Sequence, residues 1–550
     1  VTDMSTRGIW IEQYTAPRER YVAPAASIPA AFADTVAARP DETLIRYFDG
    51  ALSVSEVDRL ADATAVALAE RGFGRGDRAV LYLQNVPQYL IAALGVWRLG
   101  GVVVSANPMY KARELGEIVA DSGARAVIAM ESLHTVVTEV LVEHPTPIVV
   151  TTSELEFAER RDGVLSSSAR INCPGAVPLA DLLAEYAGAR PEPVAVGADD
   201  LAVLTYTSGT TGPPKGAEIS HGNLVFSATT YRDWIGIDAD DVIFGVAPMF
   251  HITGVVGHAA LAMLTGATLV LTYRFDPVDA VETIAEYGAT FTVGSITVFI
   301  ALMNAPNATR EKLATLAKIY SGGAPIPPST LQMFDEAFGH HIHNIYGLTE
   351  TTSPAVAVPC GRRAPVDART GAAAVGVPVY DTVVRIVDDA GEDVDPAESG
   401  EVVIAGPQVV RGYWNRPDET AAAMPGNALR TGDVGYFDAD GWLYLVDRKK
   451  DQINASGYKV WPREVEDVLY EHAAVREVAV VGVPDAYRGE TVKAFVSLRD
   501  GARVTAAELT AYARERLAAY KAPTEIALLD ELPKTASGKI LRRTLRDAGR

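Results

Sequence analysis

A chain of 550 residues with 48% hydrophobic and 22% charged side chains is too long for one ordinary domain and too apolar for a disordered or collagen-like class. Its formal net charge of −21 lacks the basic face that general nucleic-acid binding requires, so ATP-sized anions must be met by local amides and a few placed cations. The two cysteines, Cys173 and Cys360, have no metal-ligand spacing and predict neither a zinc site nor a disulfide framework.

In chain order, Trp10, Glu12, Arg18 and Arg20 interrupt the stretch where a secretory signal would be continuously apolar, which sets cytoplasmic residence as the expectation. Ser53 and Glu56 have capping-box spacing ahead of Val57, Leu60, Thr64 and Leu68 on one helical face. Residues 79–83 read as a buried strand, 87–99 as a helix, 102–105 as a strand, 113–121 as a helix and 124–129 as another strand. This alternation predicts a largely parallel sheet covered on both faces, and a second unit on the same plan follows over 241–298. Between them, 158–194, with Ser166 to Ser168 and two prolines, reads as a surface excursion or linker. The apolar run 254–271 contains His258, Thr265 and glycines and reads as core, not as a membrane span. After about residue 375, short β-like runs at 382–387 and 401–404 alternate with acidic turns and predict a small β-rich unit. The last hundred or so residues carry strands at 478–483 and 492–498 and helices at 462–471 and 506–517, enough for a separate α+β domain.

The densest chemical signal is 205–216, T-Y-T-S-G-T-T-G-P-P-K-G, directly after a strand-like run at 201–204. Gly209 and Gly212 let backbone approach an anion, Thr207, Ser208, Thr210 and Thr211 offer hydroxyl donors, and Lys215 adds a cation. It is not a Walker A loop, because Gly216 and Ala217 follow the lysine where a magnesium-binding Ser or Thr would stand. An ordinary polar turn needs glycine and proline but not four hydroxyls and a lysine.

This segment resembles the signature loop of the adenylate-forming (ANL) superfamily, which includes acyl-CoA synthetases, luciferases and peptide-synthetase adenylation domains. The superfamily's other motifs follow in order, and the resemblance covers about 31–543. It implies an α/β fold: a large N-terminal domain, 1–447, of two α/β subdomains plus a small β-rich subdomain, and a mobile C-terminal α+β domain, 448–550, hinged near 447–450. In Tyr346-Gly347-Leu348-Thr349-Glu350 it makes Glu350 the magnesium ligand, sets Thr349 on phosphate and Tyr346 near adenine. Magnesium favours oxygen ligands, which suits a carboxylate beside a hydroxyl. Gly322, Gly323 and Ala324 become the adenine wall and acyl-pocket floor, Asp433 and Arg448 ribose ligands, and Lys539 the cation that meets carboxylate and α-phosphate.

The reaction so implied is two-step. An acid attacks the α-phosphate of ATP and releases pyrophosphate; CoA then displaces AMP to give acyl-CoA. Rotation of the C-terminal domain would exchange Lys539 for the 454–461 loop, where Gly457 gives the thiol arm access. Many relatives have a lysine near Asn454 and this chain does not. His251, in Phe250-His251-Ile252-Thr253, would gate the acyl pocket or orient the carboxylate, and the absence of an aspartate there speaks against an amino-acid substrate. Val255, Val256 and Leu261 suggest an apolar slot for a medium- or long-chain fatty acid. An aryl-CoA ligase of cinnamate or benzoate type, an acyl-AMP ligase loading a carrier protein and a luciferase-like oxygenase are the alternatives. The expected partners are acid, ATP and CoA with Mg2+, with no nucleic acid; a homodimer and peripheral membrane contact stay open.

Overall fold

The computed structural model describes residues 10–15, 21–160, 163–207, 214–324, 326–368, 370–395, 397–448, 451–455, 458–485, 489–535 and 538–548. Four sheets organise them. The first has seven strands in the order Val177–Pro178, Ile148–Thr152, Ala126–Met130, Arg78–Tyr82, Val102–Ser105, Leu201–Thr207 and Lys215–Ser220. All neighbours are parallel except the last pair, a hairpin that closes one edge. The second has nine strands, with a parallel centre running from Ile342–Tyr346 through Lys318–Ser321, Phe291–Gly294, Val242–Phe244 and Thr268–Leu271 to Thr43–Tyr47, and antiparallel edges.

The largest apolar cluster lies between these sheets. Helix Val54–Glu70 begins with the expected reciprocal cap, in which Ser53 Oγ accepts the Glu56 N–H and the Glu56 carboxylate accepts the Ser53 N–H. Helix Pro87–Arg98 is buried at every position but its last, the signature of a helix sandwiched on all sides. It is fastened at its C-terminal end: Trp97 Nε1–H donates to the Ala202 carbonyl at 2.8 Å, and Arg98 pairs with Asp58 and, at 2.6 Å, with Asp62. The reading of 158–194 as a surface excursion or linker is corrected over 177–185. Val177–Pro178 adds an edge strand to the first sheet, and Leu179, Leu182 and Leu183 of helix Leu179–Glu185 are buried. Proline is tolerated on an edge because no partner needs its missing N–H, so composition hid a real strand.

A four-stranded antiparallel sheet, Val383–Val387, Gly400–Ala405, Leu429–Phe437 and Leu443–Arg448, forms the β-rich unit. The chain then enters a five-stranded sheet built around the long pair Val475–Asp485 and Gly489–Leu498, with helices Pro462–Tyr470 and Ala506–Arg516 burying its apolar cluster. This small domain touches the large one. Arg463 Nη1 donates to the Leu445 carbonyl at 2.6 Å, and Arg499 reaches Met333 Sδ at 3.5 Å. Among the described residues no helix is long and apolar enough to cross a membrane.

Candidate active site

Parallel strands deliver their C-terminal ends, and the loops beyond them, to one edge of a sheet, where ligands bind in open α/β folds. Here those ends belong to Phe291–Gly294, Lys318–Ser321 and Ile342–Tyr346, with Gly294, Ser321 and Asn344 in register across them. Ser321 Oγ and Asn344 Nδ2 are both buried without a hydrogen-bond partner, a costly state that a polar ring seated there would relieve. After Ser321 the chain turns through Gly322, Gly323 and Ala324. A Cβ at Gly322 would stand 2.6 Å from the Ile345 carbonyl oxygen, so only glycine lets these two segments meet and leave a flat wall.

Tyr346 ends its strand and donates its hydroxyl to Asp433 Oδ2 at 2.7 Å. Asp433 lies opposite Arg448 in the register of the antiparallel ladder of the β-rich sheet. Gly347 and Leu348 lead into a short 3-10 turn, Thr349–Thr351, which carries Glu350. Tyr413 donates its hydroxyl to Glu350 Oε1 at 2.8 Å, and no described residue bonds Oε2.

Thr207 and Lys215 are cross-strand neighbours in the edge hairpin, and the Thr207 hydroxyl donates to the Lys215 carbonyl at 3.5 Å. The hairpin therefore holds both ends of the phosphate loop, while Ser208, Gly209, Thr210, Thr211 and Gly212 lie outside the described residues, as do Gly457 and Lys450. Lys215 Nζ pairs with Glu419 Oε2 at 2.6 Å and sits 5.3 Å above the Tyr413 ring.

His251 caps the short helix Ile252–Gly254, its Nδ1 accepting the Thr253 N–H at 3.3 Å. Burial pushes its pKa down to about 4, and the nearby Lys539 ammonium adds to this, so the ring is neutral at pH 7. Lys539 is presented by a tight hairpin, in which Thr535 N–H donates to the Lys539 carbonyl at 2.7 Å and Gly538 N–H to the Thr535 carbonyl at 2.9 Å. Gly538, at φ +80°, seats this hairpin on the large domain: a Cβ there would lie 2.3 Å from Thr297 Oγ1 and 2.8 Å from Ser295 Oγ. Residues nearly three hundred positions apart in sequence, His251 and Lys539, are thus brought near one another.

Three contributors escaped the sequence reading. Asn344 stands two residues before Tyr346 on the same strand, and its period-2 relation to a motif residue was an available signal. Tyr413 and Glu419 carried none, because their partners Glu350 and Lys215 are distant in sequence.

Set beside known proteins, residues 32–414 match the AMP-binding enzyme family and residues 464–539 match the AMP-binding enzyme C-terminal domain. A long-chain-fatty-acid–CoA ligase of Bacillus subtilis is 34% identical, with 98% of each chain covered. A feruloyl-CoA synthase of Amycolatopsis is also 34% identical, over 92% of this chain and 96% of that one. Among solved structures, an anthranilate CoA ligase in complex with anthranoyl-AMP superposes with a TM-score of 0.86 at 26% identity, covering 96% of this chain and 98% of its own. A benzoate CoA ligase from Burkholderia xenovorans does so with 0.83 at 29%, covering 94% and 99%.

Proposed function

Since this chain belongs to the AMP-binding enzyme family and is an AMP-forming acyl-CoA synthetase with ATP and CoA as substrates, we propose that it activates a medium- or long-chain fatty acid through the residues gathered above. The observation that carries this is the docked Gly538–Lys539 hairpin, which sets a lysine beside His251.

In the first step a carboxylate oxygen attacks the α-phosphorus, the bond to the bridging oxygen breaks, and pyrophosphate leaves. Lys539 offsets charge on the carboxylate and α-phosphate as they meet, an effect for which one lost donor costs roughly 10²–10³ in rate. Thr207 and Lys215 hold the outgoing phosphates with the loop between them. Asn344 and the glycine wall receive adenine beside Tyr346, while Asp433 and Arg448 receive ribose. In the second step the thiol sulfur attacks the acyl carbon, AMP departs with its oxygen, and the thiol proton passes to solvent. Neutral His251 accepts no charge repulsion from the incoming carboxylate's partner lysine and can orient the carboxylate by a hydrogen bond.

The donor set suits magnesium. Glu350 keeps one carboxylate oxygen unbonded by any described residue next to Thr349, which fits an ion that keeps waters and takes most of its other ligands from phosphates. When bound, the ion neutralises charge building on the phosphate oxygens.

The fatty acid is favoured by the apolar side chains Val255, Val256, Leu261 and Val293, all buried, and by the absence of an acidic residue at 250–251. The 1–447 and 448–550 division, with rotation about 447–450, would alternate Lys539 with the 454–461 loop. The test is Lys539→Ala, assayed in both half-reactions on a panel of fatty and aryl acids. Loss of acid-dependent pyrophosphate release with thioester formation retained from a supplied acyl-adenylate supports the two-pose reading, and equal loss in both rejects it. A panel answered best by ferulate or benzoate would replace the fatty acid by an aryl acid.

A further inference from the structure

Tyr413 belongs to none of the motifs that pointed to the site, yet it touches two of the charged groups those motifs supplied. Its hydroxyl donates to Glu350 Oε1 at 2.8 Å, and its ring face lies 5.3 Å below Lys215 Nζ. The segment that carries it is fixed on several sides. Val410 N–H donates to the Glu350 carbonyl at 2.9 Å, and Glu218 N–H to the Gly412 carbonyl at 3.0 Å. Trp414 N–H donates to the Gly216 carbonyl at 2.8 Å, and Tyr413 N–H to Thr420 Oγ1 at 2.9 Å. The indole of Trp414 adds a bond to the Asp121 carbonyl at 3.1 Å. The phenol therefore arrives at Glu350 on a backbone pinned both to the phosphate hairpin and to the turn that bears the carboxylate.

We infer that Tyr413 is a positioning residue for nucleotide-bound metal: it ties down one oxygen of Glu350, leaves Oε2 for the ion, and holds Lys215 at a set distance across its ring. The inference rests on the reading of Glu350 as the magnesium ligand. Its physics is simple. A free glutamate rotates about its terminal torsion and can offer either oxygen; a phenol hydroxyl on Oε1 removes that freedom before the nucleotide arrives. The ring face offers Lys215 an attraction that leaves its charge intact.

Tyr413→Phe deletes only the hydroxyl and keeps the ring and all backbone bonds. Two measurements decide the matter: Mn2+ binding by electron paramagnetic resonance with a non-hydrolysable ATP analogue, and the Mg2+ dependence of acid-dependent pyrophosphate release. Half-saturating metal is expected to rise about tenfold in both, as for loss of a hydrogen bond to a charged group. KM for the acid and thioester formation from a supplied acyl-adenylate stay within about twofold, because neither the acid's binding nor the thiol step depends on the metal ligand. In a Glu350→Gln background, removing the hydroxyl adds less than about twofold, since a residue that acts through another has nothing left to act on. Wild-type metal binding in Tyr413→Phe, or the full tenfold effect persisting without the Glu350 carboxylate, would overturn the inference. Glu350→Gln with unaltered metal binding would instead remove the magnesium-ligand reading itself, and the inference with it.

Discussion

Gly538→Ala should separate the two half-reactions by geometry alone. The added Cβ would stand 2.3 Å from Thr297 Oγ1 and 2.8 Å from Ser295 Oγ, against an ordinary contact near ~3.4 Å, so the hairpin must withdraw by about 1 Å to dock at all. A misplacement of about 1 Å costs roughly 10²-fold in rate. The φ of +80° adds about 1–2 kcal/mol of backbone strain to a residue with a side chain. Pyrophosphate release is therefore expected to fall ~10²-fold or more, whereas thioester formation from a supplied acyl-adenylate, which the proposed rotation assigns to the other pose, stays within about twofold. Adding Thr297→Ala removes the nearer obstacle and should restore about tenfold of the loss, with Ser295 still in the way. Equal damage to both half-reactions, or no recovery in the double variant, would refute the seat.

Two further outcomes follow from groups already described. Asp433→Asn keeps shape but loses charge, both at the Tyr346 hydroxyl and for ribose, and should raise KM for ATP about tenfold while leaving KM for the acid unchanged, read from initial rates. His258 is wholly buried and neutral: its Nε2 accepts the Ala247 N–H at 3.0 Å, and its Nδ1–H donates to the Gly257 carbonyl at 3.1 Å. Burial lowers its pKa from 6.5 to about 4, so the unfolded chain takes up the proton first. Its contribution to stability is complete above pH 6.5 and drains away as pH falls toward 4, amounting to about 2 kcal/mol at pH 5. Denaturant midpoints at pH 7.5 and 5 should show His258→Gln losing less than wild type by that amount; identical losses would contradict it.

The alternation of strands and helices made the two parallel sheets legible, because buried parallel strands are short, uniformly apolar runs separated by amphipathic segments. The capping box at Ser53 and Glu56 was equally legible, being a contact between near neighbours. What escaped is contact between distant segments. Tyr413 meets Glu350 only because the chain passes through the β-rich unit and returns to the phosphate hairpin, and no periodicity records that return. The edge strand Val177–Pro178 was hidden for a different reason: two residues are too few to show alternation, and the flanking serines and prolines suggested a loop. Of the motif residues, Tyr346 and Asp433 lie in direct contact, whereas the phosphate-loop interior and Gly457 lie outside the described residues.

Lys215 does not wait for nucleotide as a free cation; it is already paired with Glu419 at 2.6 Å. On the proposed role of this lysine, nucleotide binding there is an exchange, one anion for another, with the glutamate returned to water. Dissolved salt weakens the departing pair and the arriving one together. The lysine's share of nucleotide affinity is thereby cushioned against ionic strength, and a chain of strongly negative charge can hold a polyanion without depending on dilute conditions.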